Sequence, residues 1–229
     1  MHKVLVFDLD GTLCPVGKGI AQEDVLLLKR LEDAGRTIVI SSGKPTYYLT
    51  GLFRQVGLKR PVLIGENGGT FQFGIDLPPA EYYEYPHAEE SKKSLRALRE
   101  LIDGELGPGV WYQPNEIGLT VFPRGADEFD AIQGIVDENG ELLAGLDVYR
   151  HVDSFDIAPE SINKKNGLRF LTGLLGLDAS DFVAIGDGVN DVPMFEYADV
   201  SVLVGEEAAF DVDLRFDTIR EALLYLCEE

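Results

Sequence analysis

A chain of 229 residues, 45% of them hydrophobic, is long enough to bury one large core, or a core with a smaller insertion, without covalent staples. With 40 acidic against 20 basic side chains, its formal net charge of -20 and pI near 4.4 argue against nucleic acid and anionic membrane surfaces as partners. Cys14 and Cys227 are too few for a disulfide framework and point to a reducing cytoplasm. No apolar run approaches a membrane span, and the short stretch before Asp8 falls far short of a signal-peptide core. The expectation is a soluble cytoplasmic protein, monomer or homodimer, that concentrates positive charge locally if it handles an anion.

The chain is organised around Asp8-Leu9-Asp10-Gly11-Thr12. These residues follow Val4–Phe7, whose β-forming side chains predict a buried strand that ends where the acids begin. Open α/β sheets place ligands at the carboxyl ends of their strands, which is where Asp8 and Asp10 would stand. Gly11 then lets the chain turn, so that both carboxylates can face one small volume. Two acids that close repel, and a divalent cation with oxygen ligands, magnesium first, offsets the repulsion. With that cation, one carboxylate can attack an electrophile while its neighbour carries a proton. Alone, the same residues also fit a polar turn.

Ala21–Ala34 carries Val25, Leu28 and Leu31 at helical spacing, with Gly35 as a stop. Thr37–Ser41 predicts a second strand that runs into Ser42, Gly43 and Lys44, and Pro45 suits the first turn of a helix over Thr46–Val56. A hydroxyl and free N–H groups at that strand end suit an anion, although such loops also simply cap helices. Val62–Gly65 is a third strand, and Asn67-Gly68 reads as a turn before a ribbon over Thr70–Phe73. This βαβαβ order predicts a doubly wound α/β fold with a parallel sheet. Leu77-Pro78-Pro79 with Tyr82, Tyr83 and Tyr85 reads as a linker.

Beyond it, periodicity predicts helix Glu89–Leu106, strands Val110–Gln113 and Leu119–Phe122 around Pro114–Gly118, helix Ala126–Glu138, and strands Leu146–Tyr149 and Ser154–Ala158. This αββαββ pattern is expected to form an inserted α+β domain over 81–157, with 1–80 and 158–229 forming the core domain. Its tyrosines, Trp111 and Phe122 are expected in its own interior. The parallel pattern then resumes. An amphipathic helix follows Asn163-Lys164-Lys165-Asn166 and ends near Leu175-Gly176, strands form over Phe182–Ile185 and Val200–Val204, and Thr218–Cys227 closes as a helix.

Strand Phe182–Ile185 delivers Gly186-Asp187-Gly188-Val189-Asn190-Asp191, again acids after a buried strand. If the two acidic strands are neighbours, Asp187 joins Asp8 and Asp10 around one magnesium. A dinucleotide loop is rejected, because the third glycine is missing and an acid stands where a pyrophosphate would approach. Lys164, expected on a loop, supplies the fixed cation that phosphoryl transfer needs, though by itself it reads as a surface lysine. Cys14 reads as a buried bystander.

Together, Asp8 through Thr12, Ser42 before Gly43, Lys164, and Gly186-Asp187 with Asp191 resemble, in order and in strand-end placement, the four motifs of the haloacid dehalogenase superfamily. The resemblance covers the whole chain. The insert, Glu66-Asn67-Gly68 and Asn190-Asp191 resemble the Cof-type subgroup with an α/β cap. The compact cap is similar to that of archaeal-type phosphoglycolate phosphatases, and less so to sucrose-phosphate and mannosyl-phosphoglycerate phosphatases. Lys44 stands where many members carry arginine, and Lys165 where glycine is frequent.

The resemblance implies a magnesium-dependent phosphatase acting on a small phosphorylated metabolite, phosphoglycolate or a small sugar phosphate, under a cap that closes and sets specificity. It implies Asp8 as the nucleophile that forms an aspartyl-phosphate, and Asp10 as the general acid whose backbone carbonyl also binds the metal. An acid there favours phosphate esters over carbon–halogen bonds, because a halide leaves without a proton. Ser42, Gly43, Lys164 and Asn190 are implied to hold the phosphoryl oxygens. Asp187 is implied as a further metal ligand, and Asp191 as the fourth acid of the metal site, which orients metal-bound water or Lys164. Two alternatives stay open: a sugar phosphomutase of the same superfamily, and a signalling or binding module that merely accepts phosphate on Asp8.

Overall fold

Val4–Phe7 is apolar at every position because this strand, β1, is covered on both faces. The structure, a computed structural model, describes residues 2–205 and 210–229. After β1 the chain passes through α1 (Gln22–Asp33), β2 (Thr37–Ser41), α2 (Thr46–Val56), β3 (Val62–Gly65), β4 (Thr70–Phe73) and β5 (Glu81–Glu84). It continues through α3 (Glu89–Leu106), β6 (Val110–Tyr112), β7 (Leu119–Pro123), α4 (Ala126–Glu138), β8 (Leu146–Arg150) and β9 (Phe155–Pro159). The remainder is α5 (Lys164–Leu175), β10 (Phe182–Gly186), α6 (Val192–Phe195), β11 (Val200–Val204), β12 (Leu214–Phe216) and α7 (Ile219–Glu228). These elements divide into two compact units: the chain up to Tyr85 together with Asn163 onward, and Pro86–Ile162.

The first unit holds an eight-stranded sheet in the order β12-β11-β10-β1-β2-β3-β4-β5. It is parallel from β12 to β3, and β4 and β5 are antiparallel. Side chains alternate across it. Leu5 and Phe7 pack with Leu28, Leu31, Leu49, Phe53, Leu223 and Leu226 of α1, α2 and α7. Val4 and Val6 pack on the other side with Leu168 and Leu171 of α5 and Met194 of α6. Full burial of each large apolar side chain contributes about 1.5–3 kcal/mol, which makes the sheet a stiff platform. The strand order reverses at β1, which has β2 on one side and β10 on the other, and open α/β sheets form their ligand crevice at such a point.

Two strands escape a reading by pattern. Glu81–Glu84, expected as linker, is the last strand of the sheet and pairs with β4. Its two glutamates are exposed, as suits an edge that must not recruit a further strand, so it shows no apolar alternation. Leu214–Phe216 is too short to show any period and pairs with β11. Because β5 belongs to the large sheet and β9 runs on to Pro159, the units divide at Tyr85/Pro86 and Ile162/Asn163, beyond the expected 80/81 and 157/158.

The second unit is an antiparallel sheet in the order β6-β7-β9-β8 with α3 and α4 on one face. Its interior is mainly aliphatic, from Leu98, Ile102, Val121, Ile132 and Ile157, with Phe155 as the fully buried aromatic. The expectation that Trp111, Phe122 and the tyrosines fill this interior is met by Tyr112, which packs against the core, and not by Trp111 or Tyr149. Trp111 is 53% exposed and Tyr149 49% exposed, because each alternates with a core residue and so lies on the other face of the sheet. There Trp111 stacks against Phe122, its partner in the register, at 5.3 Å. Among the described residues, no helix is long and apolar enough to cross a membrane.

Candidate active site

The sheet register sets two acidic strand ends side by side. Phe7 lies opposite Ile185, and the Asp8 N–H donates to the Ile185 carbonyl at 2.9 Å. Asp8, Asp187 and Asp191 each bring a carboxylate oxygen within 4.8 Å of the other two, and among the described residues this is the group of acids able to hold a metal. Asp187 is fixed by the Thr12 hydroxyl, which donates to its Oδ1 at 2.5 Å. Gly11 packs against the same carboxylate: it has φ +99°, and a Cβ there would stand 2.2 Å from Asp187 Oδ2, so only glycine fits. Asp191 is wholly buried, and its Oδ2 accepts the N–H groups of Asp187 and Gly188 at 3.0 and 3.1 Å.

Lys164 stands opposite these acids. It is the first residue of α5 rather than part of a loop, because the Asn163 side chain caps that helix by accepting the Asn166 N–H at 2.9 Å. A cation at a helix N-terminus opposes the helix dipole, so the acids must hold it. Its Nζ donates to Asp8 Oδ1 at 2.5 Å and to Asp191 Oδ1 at 2.6 Å, and the side chain is 2% exposed. Glu66-Asn67-Gly68 ties this helix start to the Ser42 loop. The Asn67 N–H donates to the Ser42 carbonyl and the Glu66 N–H to that of Lys44. Gly68, at φ +111°, lies so close to α5 that a Cβ would stand 2.6 Å from the Asn163 carbonyl oxygen. The expected turn at Asn67-Gly68 starts one residue earlier, with left-handed φ values at Glu66 and Asn67.

Ser42 is buried at the end of β2, and its Oγ accepts the Lys44 N–H at 3.3 Å. Gly43 is half-buried beside the Asn67 amide, and Asn190 is exposed on the turn that carries Asp191. The Asp10 carboxylate lies outside the three-acid cluster and faces Lys44 Nζ at 3.4 Å. The carboxylates that converge are therefore Asp8, Asp187 and Asp191, not Asp8, Asp10 and Asp187. Asp10 sits in a tight turn, bridged to Cys14, in which the Gly11 N–H donates to the Cys14 carbonyl. Burial, with Asp10 and Asp8 nearby, pushes the Cys14 thiol up to about 11, so it stays protonated and inert. Thr12, inside the first motif, and Lys44, noted where many family members carry arginine, were not assigned site roles by sequence reasoning; the structure sets them against Asp187 and Asp10.

Burial pushes Asp8 up to about 7; the Lys164 ammonium pulls the other way, and the Asp191 and Asp187 carboxylates add to the rise. On Lys164, burial works against the charge, but Asp8 and Asp191 outweigh it and hold the ammonium well above its ordinary range. Three carboxylates facing one ammonium leave negative charge uncompensated. Hard oxygen donors in such a cluster fit a small divalent cation such as magnesium.

The chain matches the family model described as haloacid dehalogenase-like hydrolase over residues 5–76 and 127–209. A phosphoglycolate phosphatase of Methanosarcina acetivorans is 30% identical over 229 residues, which span 99% of this chain and 90% of the relative. One from Halobacterium salinarum is 29% identical, spanning 88% of this chain and 83% of the relative. The fold is shared with a Thermotoga maritima crystal structure at a TM-score of 0.79 and 19% identity, covering 100% of this chain and 97% of that one. A haloacid dehalogenase-like hydrolase from Bacteroides thetaiotaomicron superposes at 0.77 with 21% identity, covering 99% and 100%. With its acidic strand ends, buried lysine and family match spanning more than half its length, this chain belongs to the haloacid dehalogenase-like hydrolases.

Proposed function

We propose that this enzyme is a magnesium-dependent phosphatase that hydrolyses a small phosphate monoester, phosphoglycolate or a small sugar phosphate, through an aspartyl-phosphate on Asp8. The observation that carries the reading is the buried Asp8 carboxylate at a strand end, held by Lys164 at 2.5 Å within a cluster of three acids. The names of the relatives support the substrate class.

Asp8 and Asp187 would hold the metal, with Asp191 beside them and Asp10 contributing its backbone carbonyl. When bound, the cation keeps Asp8 ionised and draws charge from the phosphoryl oxygens. An Asp8 oxygen attacks phosphorus as the ester P–O bond breaks, and Asp10 gives its proton to the departing oxygen. Asp10, now a carboxylate, takes a proton from water, whose oxygen attacks the phosphorus on Asp8 and frees phosphate and the carboxylate. Lys164, the Ser42 hydroxyl and the Gly43 N–H hold the non-bridging oxygens, Asn190 adds a contact from the rim, and Asp191 keeps Lys164 in place. Asp8→Asn is expected to abolish phosphate release from an aryl phosphate while the fold is retained, and excess chelator to silence the wild type. Undiminished turnover under either condition would remove the mechanism.

A further inference from the structure

The proposed acid, Asp10, has a cation of its own that the reaction above does not use. Lys44 Nζ lies 3.4 Å from Asp10 Oδ2, and its side chain is 36% exposed. Lys164, by contrast, is 2% exposed and committed to two carboxylates at 2.5 and 2.6 Å, so it is not free to turn toward a remote group of a substrate. Lys44 combines a fixed base with a loosely held head. Its N–H is bound to Ser42 Oγ, its carbonyl accepts the Glu66 N–H, and Pro45 follows it into α2. From that anchor the flexible stem presents an ammonium beside the Asp10 carboxylate.

We infer that Lys44 selects the leaving group: it receives a carboxylate borne on the carbon attached to the ester oxygen. The inference deepens the proposed function and rests on it. A group that protonates the ester oxygen must stand next to that oxygen, so a cation beside the Asp10 carboxylate stands on the leaving-group side. In an ester of a 2-hydroxy acid, the carboxylate shares its carbon neighbour with the ester oxygen and so comes within reach of the ammonium. An uncharged leaving group offers it no partner. A chain of net charge -20 otherwise repels such a trianionic ester, which makes a local cation necessary.

The test compares kcat/KM for phosphoglycolate, for its neutral amide of the same size and for an aryl phosphate, in the wild type, Lys44→Gln and Lys44→Arg. A partly exposed charged pair sets the expected preference of the wild type for the carboxylate at about tenfold or more. Lys44→Gln should bring acid and amide to within about threefold of each other, chiefly through KM, and Lys44→Arg should restore most of the difference. A wild type that hydrolyses the aryl phosphate without preferring acid over amide would overturn the inference and leave the phosphatase reading standing. An unchanged ratio in Lys44→Gln would overturn it as well. Failure to hydrolyse any of the three esters would overturn both.

Discussion

Replacing Lys164 by methionine keeps an unbranched stem, one atom shorter, and removes the charge. The ammonium is 2% exposed and bonded to Asp8 and Asp191, which are themselves buried, so little solvent screening reduces the effect. Removing one partner of a buried ion pair typically costs about 3–5 kcal/mol, because the other charge is left uncompensated. The loss should depend on pH with a definite sign. Asp8 titrates near 7 in the folded protein against 3.8 ordinarily, so between those values the native state holds a proton that the unfolded chain has released, and stability falls as pH rises. In Lys164→Met the upward push of burial is unopposed and the native value rises further. Relative to wild type, the variant should therefore lose less near pH 5, where Asp8 is protonated in both and the lost contact to Asp191 carries the cost, and most above pH 7. Urea unfolding at pH 5.5, 7 and 8.5, in chelator and in magnesium, reads this, and magnesium should narrow the gap by supplying the missing positive charge. A loss below about 1 kcal/mol at pH 8.5, or one that does not vary with pH, would refute the reasoning.

Gly68→Ala places a methyl group against the Asn163 carbonyl at φ +111° and should cost about 2–4 kcal/mol while lowering kcat, measured by denaturation and turnover. On the proposed function magnesium displaces the Asp8 proton, so its affinity by calorimetry should fall about tenfold per pH unit below pH 7; a flat profile from 5.5 to 7 would contradict this. In the second unit, Trp111→Ala should change stability by less than about 1 kcal/mol, whereas Phe155→Ala should cost about 3–5 kcal/mol, since one lies on the open face of its sheet and the other in the core.

What sequence could disclose here followed how local the cause was. Val4–Phe7, Phe182–Ile185 and the acids after them were legible because a strand buried on both faces has an unbroken apolar run with an abrupt polar end. Asp8 and Asp187 could be paired in advance because two such strand ends need only be neighbours. The family resemblance put Asp191 at the metal site, but the pattern of residues alone set Asp10 beside Asp8 and Asp187. Asp191 enters through a short turn in which it accepts two backbone N–H groups, while Asp10 is turned toward Lys44, and neither turn has a period to read. Glu81–Glu84 was hidden because an exposed edge strand is selected against the alternation that would reveal it. Trp111 and Tyr149 were misplaced inside because size was weighed above position: Trp111 alternates with Val110, and only one of the two can face α3 and α4. The role of Gly68 lay in a close approach to Gly167 and Asn163, about a hundred residues away in the chain.

On the proposed function, the carboxylate of Asp8 becomes covalently phosphorylated during turnover. Rapid quenching of the enzyme with phosphoglycolate and magnesium, reduction with borohydride and peptide mass spectrometry test it directly, since an acyl phosphate is reduced to an alcohol and a free carboxylate is not. Homoserine at position 8, absent without substrate, is the predicted result. Steady phosphate release with position 8 recovered only as aspartate, or the modification found at another acid, would contradict it.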